Sequence, residues 1–142
     1  MTEKQNLLFL CTGNSCRSQM AEGWGKALLS SRFNVYSAGI EKHGLNPYAA
    51  KVMSEQGVDI SSQFSKTLDD LNDVQFDIVV TVCGHADETC PVLPGNTRKI
   101  HHGFDDPPKL AANAKNEAET LLPYRRVCEE IKNFVQNIDE YL

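Results

Sequence analysis

The chain has 142 residues, and its apolar and charged fractions, 41% and 23%, indicate one soluble globular domain spanning residues 1–142. A formal net charge of −5 disfavours nucleic acid or an anionic membrane as a partner, because both attract basic surfaces. The sequence contains no apolar run long enough for a membrane span or a secretory signal. We therefore expect a cytoplasmic protein with reduced thiols, and its small acidic domain favours a monomer.

Strand-like and helix-like stretches alternate along the chain. The predicted strands cover 7–10, 33–37, 76–82 and 98–102, and the predicted helices cover 16–30, 47–56 and, more briefly, 66–73. The proline-containing stretches 84–95 and 103–113 are predicted loops, and Pro123 is predicted to open the last helix. This order predicts an α/β fold with a four-stranded parallel sheet flanked by helices on both faces.

Chemically active side chains follow the carboxyl ends of the predicted strands. Cys11, Ser37 and Cys83 come directly after or at the end of strands, and a polar loop follows His102. Ligands of open parallel sheets bind at this edge. The sequence thus predicts that these groups converge on one site.

The stretch 11–18 combines a cysteine, a tight loop and an arginine between a strand and a helix. Such a loop directs backbone N–H groups at an oxyanion, and Arg17 could clasp that anion with its two-pronged guanidinium. A helix N-terminus and an arginine both lower a thiol pKa, so we expect Cys11 to be a thiolate nucleophile, with Ser18 donating to it. Taken alone, Cys11 could equally be a small buried apolar residue at a strand end.

Residues 11–23 (CTGNSCRSQMAEG) resemble the phosphate-binding loop of the low-molecular-weight tyrosine phosphatase superfamily, and more narrowly that of its thioredoxin-coupled arsenate reductases. The similarity continues at 36–40, 46–47, 79–83, 90–91 and 103–107. The resemblance implies that the oxyanion is held by the loop residues Thr12, Gly13, Asn14, Ser15, Cys16, Arg17 and Ser18.

The same resemblance implies a three-cysteine relay. Cys11 attacks arsenate, Cys83 then forms a Cys11–Cys83 disulfide as arsenite leaves, and Cys90 takes over in a Cys83–Cys90 disulfide. Thioredoxin, or a glutaredoxin-type protein, would reduce that disulfide, and no bound cofactor is expected. A disulfide requires Cα atoms about 4.4–6.8 Å apart, so Cys83 cannot serve both partners unless segment 83–90 moves.

The general acid is assigned by resemblance to Asp106, which directly precedes Pro107, although Asp105 is adjacent. Three other interpretations stay open. A phosphatase would need only the nucleophile, the arginine and the acid, and a redox sensor would need only the thiols. A zinc site using Cys83, His85 and Cys90 has no obvious fourth ligand, so no metal is expected.

A cation site is a further feature that the resemblance implies for some members. Its equivalents here are Asn14, Glu22 and Ser37, but Lys66 stands where the family places an aspartate. We expect the Lys66 ammonium to replace potassium. Cys16, Cys128, His101 and His102 are predicted to have packing or surface roles.

Overall fold

The computed structural model describes residues 4–84 and 97–142. Its strands are β1 (Gln5–Cys11), β2 (Phe33–Gly39), β3 (Ile78–Thr81) and β4 (Arg98–His101). Its α-helices are α1 (Arg17–Leu29), α2 (Pro47–Glu55), α3 (Pro107–Leu110) and α4 (Glu117–Gln136), with 3-10 turns at Leu68–Leu71 and Ile138–Tyr141. None of the helices within these residues is long and apolar enough to cross a bilayer.

All four strands are parallel and lie in the order β2-β1-β3-β4, so the predicted α/β class and four-stranded parallel sheet are confirmed. The central strand β1 pairs on both sides, and the side chains of its apolar run 7–10 are fully buried, as expected for a strand covered on both faces. From β1 the chain crosses first to β2 and then back past β1 to β3. This reversal opens a crevice at the carboxyl ends of β1 and β3.

Register brings two cysteines into this crevice. Leu10 of β1 pairs with Thr81 of β3, and the Val82 amide donates to the Leu10 carbonyl at 2.9 Å. Cys11 therefore continues β1 beside the point where the chain runs on from β3 to Cys83. Thr12 and Cys83, which are separated by 71 positions in sequence, become neighbours because two parallel strands end at the same level.

The last helix begins earlier than the sequence predicts. It starts at Glu117, so the expectation that Pro123 opens it is wrong, and Pro123 lies inside the helix. The start is fixed by Asn116, whose side chain accepts from the Glu119 amide at 2.9 Å, while the Glu119 carboxylate accepts from the Lys115 amide at 2.7 Å. This reciprocal capping outweighs the turn-opening preference of proline.

A second correction concerns the loop predicted over 103–113. It contains the single helical turn α3, which begins at Pro107 directly after Asp106. A proline at the first helical position lacks only an N–H that would have no partner there, and its fixed φ suits the turn. Asp106 is thereby held at the start of a short, ordered turn.

Candidate active site

The loop after β1 is held open by the segment that follows β2. Four amides of that segment donate to loop carbonyls at 2.9–3.1 Å: Ile40 to Cys11, Glu41 to Thr12, His43 to Gly13 and Asn46 to Ser15. Across a trans peptide the C=O of one residue and the N–H of the next point in opposite directions. Turning these carbonyls outward therefore turns the following amides toward the inside of the loop, where an oxyanion would sit.

The inside of the loop is a cavity of about 280 Å³. Its lining combines nucleophile, cation and carboxylate with the loop itself, namely Cys11, Thr12, Gly13, Ser15, Cys16, Arg17, His43, Asp106 and Pro108. A larger cavity of about 460 Å³ lies beyond Glu22, and no cysteine lines it. The smaller cavity is the one whose lining can bind and attack a tetrahedral anion.

Asn14 fixes the shape of the loop from below. Its φ of 47° is left-handed, a conformation that asparagine adopts more readily than most residues. Its side-chain amide donates to Ser18 Oγ at 2.8 Å and Ser37 Oγ at 2.9 Å, and its Oδ1 accepts from Gln19 Nε2 and the Lys66 amide. Since Asn14 is fully buried, losing these bonds would leave several buried polar groups unpaired.

Arg17 and Asp106 lie on the same side of the cavity. The Arg17 guanidinium donates to the Phe104 carbonyl at 3.0 Å and lies 3.8 Å from the Asp106 carboxylate. Asp105, by contrast, pairs at 3.0 Å with Arg126 of α4 and does not line the cavity. Of the two adjacent aspartates, only Asp106 can reach an anion in the cavity.

Cys11 and Cys83 are both free and buried, and they lie at the adjacent ends of the paired strands β1 and β3. Cys83 Sγ also lies 3.2 Å from Thr12 Oγ1. The hydrogen bond with Cys83 and burial raise the pKa of the Cys11 thiol, and together they outweigh the Arg17 charge, which lowers it. The expectation of a lowered pKa is therefore wrong for this arrangement, because two adjacent buried thiols disfavour ionisation of either one.

Cys90 and His85 lie outside the residues that the structure describes, so the expected Cys83–Cys90 step and the zinc alternative stay predictions. Within residues 4–84 and 97–142, no group of three histidines, cysteines or acidic residues is arranged to hold a metal ion. Cys16 lies buried at the N-cap of α1 and lines the cavity, and burial, followed by the Asp106 charge, raises its pKa.

Lys66 points into a buried polar cluster beneath the loop. Its ammonium lies 3.1 Å from Glu22 Oε1, 3.2 Å from the Phe64 carbonyl and 3.5 Å from Ser37 Oγ. Both charged side chains are buried, at 10% and 4% exposure. Burial by itself would raise the pKa of Glu22, but hydrogen bonds from Lys26 and Ser37 and the Lys66 charge lower it overall.

Comparisons with known proteins agree with this geometry. The model of the low molecular weight phosphotyrosine protein phosphatase family matches residues 6–142. An arsenate reductase of Halalkalibacterium halodurans is 50% identical over 137 residues, covering 96% of each chain. The chain belongs to the arsenate reductase branch of this family.

Solved arsenate reductases share this fold. An arsenate reductase in its oxidised state superposes with a TM-score of 0.78 at 29% identity, covering 97% of this chain and 99% of that one. The thioredoxin-dependent arsenate reductase of Corynebacterium glutamicum gives a TM-score of 0.71 at 25% identity, covering 98% of this chain and 62% of that one. The predicted membership of the arsenate reductases built on the phosphatase fold is thus confirmed.

Two side chains of this family member make contacts at the site that the sequence did not predict, although it predicts Asn46 as the N-cap of α2. His43 lines the cavity, and Asn46 connects the Ser15 carbonyl to the α2 cap and, at 3.0 Å, to the Tyr124 hydroxyl of α4. A signal was available, because both follow β2 at the strand edge where ligands bind. His102 instead stacks among Phe104, Phe134 and Tyr141, in keeping with the packing role expected of it.

Proposed function

We propose that Cys11, Cys83 and Cys90 carry out arsenate reduction as a thiol–disulfide relay in this protein. Reduction of arsenate in arsenic resistance is the activity of the branch to which the chain belongs. The observation that carries the relay is the position of Cys83 beside the loop, where its Sγ lies 3.2 Å from the Oγ1 of Thr12, the residue that follows Cys11. A phosphatase has no use for a second thiol at this place.

The first step joins Cys11 sulfur to arsenic and expels one arsenate oxygen. Arg17 and the loop amides bind the remaining oxygens, and Asp106 gives the leaving oxygen a proton so that water departs. The ionisation of Cys11 requires that Cys83 keep its proton, because both cannot be thiolates side by side. The site therefore holds one thiolate at a time, and the anion binds between that sulfur on Cys11 and the guanidinium of Arg17.

The second step is reduction. The Cys83 thiolate attacks Cys11 sulfur, the sulfur–arsenic bond breaks, and its electron pair stays on arsenic, which leaves as arsenite. Two thiols are thereby oxidised to a Cys11–Cys83 disulfide and arsenic gains two electrons. Cys90 then attacks Cys83, frees Cys11 as a thiolate and leaves a Cys83–Cys90 disulfide for an external dithiol.

We infer that the external dithiol is thioredoxin, with a glutaredoxin-type protein as the alternative. The thioredoxin-dependent relative from Corynebacterium glutamicum supports this choice. The relay must start from free thiols, so we infer that the protein acts in a reducing compartment such as the cytoplasm. The same chemistry needs no bound cofactor.

We further infer that the enzyme does not require potassium. The Lys66 ammonium contacts Glu22, Ser37 and a backbone carbonyl, the kind of oxygen set that a monovalent cation would use. Because this positive charge is covalently attached, it is present at any potassium concentration. It contacts Ser37, whose Oγ accepts the hydrogen bond from the Asn14 side chain.

A coupled assay tests the relay. Reduced protein is mixed with arsenate, thioredoxin, thioredoxin reductase and NADPH, and NADPH loss is followed at 340 nm with and without arsenate. We expect arsenate-dependent loss with the wild type and none above background with Cys83→Ser. Cys128→Ser is the matched control, because Cys128 is equally buried but packs beside Met53 away from the cavity.

Phosphomonoester hydrolysis is the second candidate, favoured by the shared loop and the matching family model. Pro108, Lys109 and Leu110 follow Asp106 and Pro107, so this turn offers no aromatic side chain to grip a phosphotyrosine ring. Hydrolysis of para-nitrophenyl phosphate should be slow and should survive Cys83→Ser. Fast hydrolysis together with no arsenate-dependent NADPH loss would replace the relay with the phosphatase function.

A further inference from the structure

We propose that His43 binds the substrate oxyanion as a second cation beside Arg17, and that Glu41 positions it for this task. The inference rests on the proposed function, because it assigns a substrate contact within the same site. It concerns a segment, 40–46, whose other contribution is to hold the loop carbonyls.

The His43 ring covers the loop at Gly13. A methyl group on Gly13 would overlap the ring, lying 2.5 Å from His43 Cγ and nearer still to Nδ1. The His43 amide donates to the Gly13 carbonyl at 2.9 Å, which ties the residue to the loop. His43 also lines the anion cavity with Cys11 and Arg17, so an oxyanion bound there lies beside this residue.

Glu41 fixes which ring nitrogen is available. Its carboxylate lies 2.7 Å from His43 Nε2, so that nitrogen donates its proton to Glu41. The nitrogen toward Gly13 is then Nδ1, which carries a proton only in the imidazolium form. An oxyanion in the cavity selects that form, because it accepts a hydrogen bond from a protonated Nδ1 and is repelled by a bare lone pair.

The charge balance of the cavity points the same way. Arsenate carries between one and two negative charges near neutral pH, and among the residues that the structure describes the charged side chains lining the cavity are Arg17 and Asp106. The carboxyl group of Asp106 cannot neutralise the anion, because it is neutral when protonated, as it must be to act as the acid, and negative otherwise. A protonated His43 completes the charge balance, whereas the neighbouring Lys42 pairs at 2.8 Å with Asp70 and does not line the cavity.

Binding of inorganic phosphate to the reduced protein is the direct test, followed by isothermal titration calorimetry. His43→Phe keeps a flat ring over Gly13 and removes both nitrogens, and Lys42→Gln is the matched control for loss of a nearby positive charge. We expect the dissociation constant for phosphate to rise about tenfold in His43→Phe. This loss is at the low end of what a charged hydrogen bond contributes, because the His43 side chain is half exposed. The dissociation constant of Lys42→Gln should change less than twofold. Equal affinity of His43→Phe and wild type would overturn the inference, as would equal weakening by both substitutions.

The role of Glu41 is tested by a double-mutant cycle in the same titration. Glu41→Gln should alter phosphate affinity in the wild type and have no further effect in the His43→Phe background. An equal effect in both backgrounds would show that Glu41 acts as a separate charge and would remove it from the proposal.

Arsenate kinetics provide a second readout. His43→Phe should raise the KM for arsenate about tenfold and leave kcat within about threefold, because Cys11, Cys83 and Asp106 are untouched. A collapse of kcat with unchanged KM would overturn the binding role. If the wild type binds phosphate but consumes no NADPH with arsenate, the relay fails while the phosphate titration still decides the role of His43.

Discussion

Replacing Lys66 by methionine tests the buried charge pair beneath the oxyanion loop. At 3.1 Å and an effective dielectric constant of about 20, the direct attraction between Lys66 and Glu22 is about 5 kcal/mol, most of which offsets the cost of burying both charges. Removing one partner of such a pair usually costs about 3–5 kcal/mol, but Glu22 keeps Lys26 at 2.5 Å on its exposed side. We therefore expect the free energy of unfolding to fall by about 2 kcal/mol.

Thermal and urea unfolding of reduced protein measure this loss. For a chain of this length, about 2 kcal/mol corresponds to a fall in Tm of roughly 6–8 °C. Lys26→Met is the matched control, because it removes an ammonium from the same carboxylate but from a side chain that is 54% exposed. Its cost should stay below about 1 kcal/mol.

The loss should depend on pH in a definite direction. The pKa of Glu22 is lowered in the folded protein, so its pairing contributes stability above the ordinary glutamate pKa and loses that contribution as pH falls through the folded value. Without Lys66 the buried carboxylate has less support and protonates more readily. The difference between wild type and Lys66→Met should therefore be largest near pH 7 and shrink toward pH 4.

A melting temperature of Lys66→Met within about 2 °C of wild type at pH 7 would contradict the role of the buried pair, because the expected shift is three to four times larger. A rise in wild-type turnover or stability when potassium replaces sodium would also contradict it, because the ammonium would then not occupy the cation position. Unlike the wild type, Lys66→Asp should gain stability when potassium replaces sodium.

Other consequences concern the catalytic acid, the anion clamp and the loop support. Asp106→Asn should lower kcat for arsenate by about 10²–10⁴ in the coupled assay, whereas Asp105→Asn should change it less than about threefold, and similar losses from both would refute the assignment. Arg17→Lys should raise the KM for arsenate about tenfold or more, since a single ammonium cannot form the forked contact; an unchanged KM contradicts this. Asn46→Ala removes the α2 cap and the Tyr124 hydrogen bond and should cost about 1–2 kcal/mol in urea unfolding, and a cost below about 0.3 kcal/mol would show that the link is dispensable.

Local patterns gave most of the elements. An unbroken apolar run predicts β1, Asn46-Pro47 predicts the start of α2, and Gly57, with φ of 81°, ends the turn after it, because these signals depend on near neighbours only. Pro123 does not open α4 because Asn116, seven positions earlier, caps the helix there. Only packing and the reciprocal cap at Asn116 and Glu119 decide between them.

The sequence by itself predicts the parallel sheet and a candidate oxyanion loop at its edge, and it supplies Cys11, Arg17 and, downstream, Cys83 and Cys90. Tertiary structure decided which of these groups meet. It brought Cys83 beside Cys11 and reversed the expected pKa of that thiol, it turned Asp106 and not Asp105 toward the cavity, and it added His43. The physical reason is that thiol pairing, charge pairing and burial act over a few ångströms between segments far apart in the chain, and these distances exist only once β1, β2 and β3 have paired in register.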